Sequence, residues 1–180
     1  MRDTIEWKYT KGETDDEIVK CIEKILDIKF PEDFLECVKK YPNTQPSPNF
    51  FKTGKQTWVY GKDGGGLFKS LYSFDPNIEY FILREYHGIN FHSGGDNKVP
   101  DGIIPFASSS NNQDSLCFDY RKGFPPTVVF FDLQFHWDYL DYLEEPEFCK
   151  EVKEEDYLIY ICDSFGELLD MLEEEPEENY

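Results

Sequence analysis

Three short apolar segments in the second half of the chain constrain the fold most. They are rich in β-branched and aromatic residues and are separated by polar turns: Ile103–Ala107, Leu116–Tyr120 and Thr127–Asp132. Segments of this length and composition, bounded by turn residues, are typical of buried strands. They predict a sheet that is mostly antiparallel. Pro105 interrupts the first segment, which favours either an edge strand or a β-bulge there.

An earlier region, after the breaker cluster at 42–48, also has a strand-like composition. Strands are predicted over Asn49–Thr53, Thr57–Tyr60 and Leu67–Ser73. Turns are expected around Gly54 and at Gly64–Gly66, and the short spacing favours an antiparallel meander.

Helices are predicted on both sides of the strand segments. Thr14 and Glu17 have the spacing of a capping box ahead of an apolar stripe, and Pro31 suits the first turn of a second helix that Pro42 ends. Asp75–Asn77 can cap a third helix that runs to about Tyr86 and ends before Gly88. Ser164 can cap a last helix that reaches Leu172.

The order of helices, strands and a final helix predicts one α+β domain over residues 1–180. Leu, Ile, Val and Phe make up 48 of the 180 residues, enough for a folded core. Residues 173–180 are expected to be a solvated acidic tail.

Charge excludes several classes of ligand. The chain has 18 basic and 37 acidic residues, a formal net charge of −19. Such a balance repels phosphate backbones and anionic membranes, so neither nucleic acid nor a membrane is expected as a direct partner. Residues 144–180 carry 15 acids and two bases. This run either steers a basic partner or is simply a solvated surface.

The cysteines and the apolar runs indicate the cellular compartment of the protein. Five scattered cysteines without a C-x-x-C pair do not form a disulfide framework, and Cys21, Cys37 and Cys117 fall at apolar positions where burial is expected. No run approaches the roughly 18 apolar residues of a membrane span, and Met1–Thr10 lacks the pattern of a signal peptide. A soluble cytoplasmic protein is the simplest interpretation.

No motif supports a catalytic, metal or cofactor site. His87 and His92 lack a third ligand at zinc spacing, and Gly64–Gly66 lacks the lysine and hydroxyl of a phosphate-binding loop. His136 is only a weak general-base candidate. The expectation is a non-catalytic protein without metal or cofactor, although a pair of carboxylates brought together by the fold stays open as a third hypothesis.

Several segments, in order along the chain, fit one family pattern. They are Ile28–Phe34 with Val38 and Tyr41, then Ile103–Ala107, Ser115–Tyr120, Val128–Asp132 and Ser164–Leu169. In this order the chain resembles the SUKH superfamily, the Smi/Knr-like domains. The resemblance implies an α+β single domain with a mostly antiparallel sheet and flanking helices.

The resemblance also implies a function. In bacteria such domains commonly serve as immunity proteins that bind and block a polymorphic or contact-dependent toxin. An acidic inhibitor suits a basic toxin domain such as a nuclease. Eukaryotic relatives resemble signalling scaffolds linked to cell-wall synthesis, so a scaffold without a toxin partner is the alternative.

One aromatic and acidic segment is the candidate contact region with such a partner. Aromatic side chains supply buried area at interfaces, and complementary charge raises the rate of encounter. The predicted contacts are Asp132, His136, Trp137, Asp138, Tyr139, Asp141, Glu144 and Glu145. Alternatively, Trp137 and either Tyr139 or Leu140 are core residues of a packed surface loop.

Overall fold

The computed structural model describes residues 5–62, 64–92, 99–109, 114–147 and 149–176. Within these ranges the helices are α1 (Asp16–Leu26), α2 (Glu32–Lys40), α3 (Ile82–His92), α4 (Leu133–Glu144), α5 (Glu154–Tyr157) and α6 (Phe165–Met171). The strands are β1 (Glu6–Lys8), β2 (Gln45–Ser47), β3 (Phe50–Phe51), β4 (Gly66–Leu67), β5 (Ser70–Leu71), β6 (Ile103–Ser108), β7 (Ser115–Asp119), β8 (Thr127–Phe131) and β9 (Leu158–Cys162). No helix in the described residues is both long and apolar enough to cross a bilayer.

A five-stranded antiparallel sheet with the order β5-β6-β7-β8-β9 organises the molecule. The three apolar segments form its centre, which confirms the α+β prediction. Pro105 lies at a shift of register between β6 and β7, so of the two expectations for this proline the bulge is confirmed. β6 is an inner strand, but β5 pairs only with its last residues, Ala107 and Ser108.

One face of the sheet carries a large aromatic core. Successive side chains of a strand lie on opposite faces, and alternate residues of β6, β7 and β8 meet α1, α2 and α6 on this face. Phe34 of α2 lies at its centre and is fully buried. Its ring is within 5.1–6.2 Å, centroid to centroid, of five others: Phe30, Phe74, Phe106, Phe118 and Phe165.

The other face carries a smaller core. Here the remaining side chains of the same strands pack against α4 and the short helix α5. The buried residues are Ile89, Val99, Ile103, Cys117, Val129, Phe131, Leu133, Tyr157 and Leu158. The sheet therefore separates two layers of unequal size.

The first helix has a different cap from the one expected. The carboxylate of Asp15 accepts from the backbone N–H groups of Glu17 and Ile18, at 2.7 and 3.2 Å. Thr14 instead donates its hydroxyl to the carbonyl of Val38 in α2, at 2.8 Å. The Thr14 capping box was wrong because a tertiary contact takes this hydroxyl.

Of two other helix predictions, one is confirmed and one is wrong. Ser164 caps α6 as expected, since its hydroxyl accepts from the N–H of Glu167 at 3.1 Å. The third helix was misplaced, because Asp75 holds a turn through Asn77 and α3 begins only at Ile82. It then continues through Gly88 to His92, whereas an end before Gly88 was predicted.

Several strand and burial predictions also need correction. Thr57–Tyr60 is a turn, and the strands on either side of it are only two residues long. Cys37 and Cys117 are buried as expected, but Cys21 is exposed because it lies on the outer side of α1. The predicted loop around Gly94–Asn97 and most of the Ser108–Asp114 turn lie outside the described residues.

The start of the predicted acidic tail is attached to the domain. The N–H and carbonyl of Glu173 pair with the backbone of Phe50, at 2.9 and 3.0 Å. Its carboxylate lies 2.6 Å from the ammonium of Lys52, and Glu175 accepts from the Tyr60 hydroxyl at 2.6 Å. Glu173 and Glu175 are thus exposed but held to the domain by these contacts, while residues 177–180 lie outside the described residues.

Candidate functional site

The aromatic and acidic segment predicted to contact a partner forms α4 rather than a loop. Asp132 ends strand β8 and caps the helix, since its carboxylate Oδ1 accepts from the Phe135 N–H at 3.2 Å. The helix lies on the smaller face of the sheet and buries Leu133 and His136 there. Because a helix turns by about 100° per residue, its predicted contact residues are distributed around the axis.

Asp132 and His136 do not reach the surface. Asp132 is fully buried and His136 is 1% exposed. A buried side chain offers no area to a partner, so the expectation that these two residues touch one directly is wrong. The burial of Asp132 could have been expected, because a residue that stands at the end of a buried strand and caps the next helix lies inside the fold.

His136 lies in an apolar, aromatic environment. Its ring centroid is 4.7 Å from that of Tyr157 and 5.3 Å from that of Phe131, and neither ring nitrogen has a hydrogen-bond partner in the structure. Burial lowers the pKa of His136 to about 4, because the imidazolium form would lose its hydration. The neutral ring thus acts as a core side chain, and the role of general base has no support here.

Tyr139 is also partly internal. Its ring packs 5.1 Å from Tyr157, beside His136. The alternative of a packed core residue therefore holds for Tyr139. Trp137, at 36% exposure, lies on the outer side of the helix.

The remaining acidic residues form an exposed stripe. Asp138, Asp141 and Glu145 are spaced by three and four residues, so they lie along one side of the helix. Asp138 is half-buried and accepts from the side-chain amide of Gln134 at 3.2 Å, whereas Asp141 and Glu145 are exposed. Glu144 is exposed on the same side of the helix as Trp137. Five of the eight predicted residues thus share an outer surface.

A cleft of about 620 Å³ runs beside this stripe. Its walls come from α4, the segment before α5 and the residues that precede the 57–60 turn. Residues lining it are Lys55, Gln56, Phe135, Asp138, Asp141, Cys149, Lys150, Glu151, Val152 and Asp156. Four carboxylates face two lysines, so the cleft has an acidic balance around an apolar floor.

The 57–60 turn lies beside this region and was not among the predicted contact residues. The second carboxylate oxygen of Asp132 accepts from the N–H of Trp58 at 2.9 Å, which fixes the turn against the start of α4. Burial raises the pKa of Asp132, while these backbone donors oppose the shift. A strand was predicted over Thr57–Tyr60, so the turn was not recognised. The residues that could have indicated it are Trp58 and Val59, two large apolar residues shortly before Gly61, whose φ is +56°.

The described residues hold no group of three or more side chains suited to a metal ion. The ring of His87 contacts Tyr86, at 5.8 Å between centroids. The arrangement around α4 combines exposed apolar area, carboxylates and a cleft.

Comparison with known proteins identifies one family. The family model described as SMI1 / KNR4 family (SUKH-1) matches residues 12–171. This range includes α4, the cleft and the 57–60 turn, together with every strand from β2 onward. No curated protein matches the chain by sequence.

Proposed function

Because the chain belongs to the SMI1 / KNR4 family (SUKH-1), we propose that it is an immunity protein that binds and neutralises a cognate bacterial toxin domain. Family membership is the observation that carries the proposal, since SUKH domains often serve in this way. The protein acts by occlusion and not by catalysis. It works in the cytoplasm, where an incoming toxin meets its target.

The surface around α4 supports this proposal. Trp137 offers apolar area, and the stripe of Asp138, Asp141 and Glu145 attracts a basic partner. Complementary charge of this kind raises association rates and suppresses binding to acidic proteins. A basic toxin domain, for example a nuclease, suits such a surface because its own substrate is a polyanion.

The direct test uses the reading frame beside the gene for this chain. Its C-terminal domain is expressed in a host with and without this chain, and growth is measured. Rescue of growth, together with recovery of a stoichiometric complex, supports immunity. If the neighbouring domain is harmless, or if co-purification yields only envelope or signalling proteins, the immunity proposal is wrong and a scaffold is favoured.

A charge reversal locates the interface on α4. Asp141→Lys should slow association with a basic toxin domain by about tenfold at low salt, because it removes one favourable charge and adds a repulsive one. Glu36→Lys, an exposed position of α2 on the opposite side of the sheet, is the matched control. Equal association rates for the two variants in stopped-flow mixing would remove Asp141 from the interface.

A further inference from the structure

The 57–60 turn exposes two large apolar side chains next to each other. Trp58 is 60% exposed and Val59 is 46% exposed, while the neighbouring Thr57 is buried. Exposed tryptophan is uncommon on soluble proteins, and tryptophan is enriched among the residues that dominate binding energy. In α4 the exposed large apolar side chains are Trp137, at 36%, and Leu143, at 48%.

Hydrogen bonds of Thr57 hold this turn in a rigid conformation. The Thr57 hydroxyl donates to the Gly65 carbonyl at 2.9 Å and accepts from the Tyr60 N–H at 3.2 Å. The Thr57 N–H donates to the Gly61 carbonyl at 3.1 Å. A rigid turn loses little conformational entropy when its side chains are buried by a partner, which favours binding.

Three acidic segments meet at this turn and its flanks. Tyr60 binds Glu175 of the C-terminal segment, and Trp58 is bound by Asp132 at the start of α4. Just before the turn, the ammonium of Lys55 donates to the carbonyl of Glu155 at 3.0 Å and lies in the wall of the acidic cleft. Acidic segments that are far apart in sequence therefore contact the turn and its flanks.

We propose that Trp58 and Val59 form the apolar anchor of the partner-binding surface, and that its occupant is a protein domain with a basic rim around an apolar pocket. Charge complementarity selects this occupant, because the chain has a formal net charge of −19 and the turn contacts the start of α4 and the acidic C-terminal segment. The assignment deepens the proposed function, on which it rests for the class of partner.

Asp132 is the positioning residue of this surface. One carboxylate accepts from Phe135 in α4 and from Trp58 in the turn, so it sets the anchor relative to the acidic stripe. In Asp132→Asn the side-chain amide has only one acceptor oxygen and loses one of these two bonds. Hydrogen exchange of either the Trp58 or the Phe135 amide should accelerate, while the amides of β7 remain protected.

Photo-crosslinking in the cells that produce this chain tests the anchor. In one version of the full chain p-benzoylphenylalanine replaces Trp58, and in another it replaces Phe124. Phe124 is 63% exposed and lies at the opposite end of β8 from Asp132, which makes it the matched control. We expect crosslinks from position 58 alone, to one protein identified by mass, within a peptide rich in lysine or arginine.

Affinity measurements with that purified protein complete the test. Trp58→Ala should weaken binding by about tenfold or more, and Phe124→Ala by less than about twofold. Val59→Glu should weaken binding similarly, and it replaces Trp58→Ala in this test if Trp58→Ala unfolds. Asp132→Asn should weaken binding of the otherwise unchanged chain but have little further effect in the Trp58→Ala background, because both act through the same anchor.

The outcomes separate this inference from the proposed function. A basic partner that crosslinks at position 58 but is not a toxin supports the anchor and overturns immunity. A toxin that binds Trp58→Ala as tightly as the unmodified chain, or crosslinks equally from both positions, overturns the anchor and leaves immunity standing. An acidic partner at position 58, or no crosslink there, also overturns the anchor.

Discussion

The two faces of the five-stranded sheet differ in what they bury and in what they leave at the surface. The face under α1, α2 and α6 holds a large cluster of phenylalanines centred on Phe34. The face under α4 and α5 holds a smaller core that includes an imidazole without a hydrogen-bond partner. The second face also carries the acidic stripe and the cleft.

This difference indicates a division of roles. Area removed from water is the main source of stability, so the larger aromatic face stabilises the domain. The smaller face packs against a helix whose outer side is acidic.

The largest expected effect is the loss of an aromatic ring from the larger face. Phe34→Ala should lower the free energy of unfolding by about 3–5 kcal/mol, because five rings pack on this side chain and cannot close the cavity fully. Urea denaturation monitored by circular dichroism measures it. Trp137→Ala on the outer side of α4 is the control, and a loss as large there would contradict the comparison.

The second effect is a pH dependence specific to the smaller face. The pKa of His136 is about 4 in the folded protein and near 6.5 when unfolded, so acid protonates the unfolded chain first. Stability from the neutral ring is present above pH 7 and is lost as the pH falls toward 4. The loss is on the order of 3 kcal/mol.

His136→Leu isolates that contribution. Urea unfolding of the original chain and of this variant, at pH 7.5, 6 and 4.5, gives a difference in which the shared carboxylates cancel. The variant should gain relative stability as the pH falls. A difference that stays constant over this range would show that the ring is hydrated or protonated in the folded state.

The smallest effect concerns a helix cap on the larger face. Ser164→Ala removes the acceptor for the Glu167 N–H and should lower stability by about 1 kcal/mol. Thermal unfolding measures this change. Partner affinity should be unaffected, since α6 lies across the sheet from α4, and a matching loss of affinity would mean that the two faces are coupled.

Local patterns predicted the larger face well. Phe34 and Val38 follow the spacing of a helix side, and Phe106, Phe118 and Phe130 alternate along strands, so their burial follows from periodicity. Caps that depend only on neighbours, such as Ser164, were also found. Thr14 was misassigned because its hydroxyl bonds to Val38, which is distant in sequence.

Prediction of the smaller face was poorer, for a physical reason. Helix α4 has aromatic and acidic residues on most sides, so its apolar periodicity is weak and no helix was predicted there. Strand β9 and the short helix α5 were not predicted either, because an acidic run surrounds them. Trp58 was placed in a strand, since its composition matches one and its turn is held by the distant Asp132 and Gly65.

The sequence alone determined the α+β class, the central antiparallel strands, the acidic character and the resemblance to the SUKH superfamily. Each follows from composition, local periodicity or ordered motifs. Only the tertiary structure decided that Asp132 and His136 are buried, that α4 is a helix beside a cleft, and that Trp58 lies in a turn whose backbone and flanks contact three acidic segments. These features depend on contacts between residues up to 115 positions apart, which no local pattern encodes.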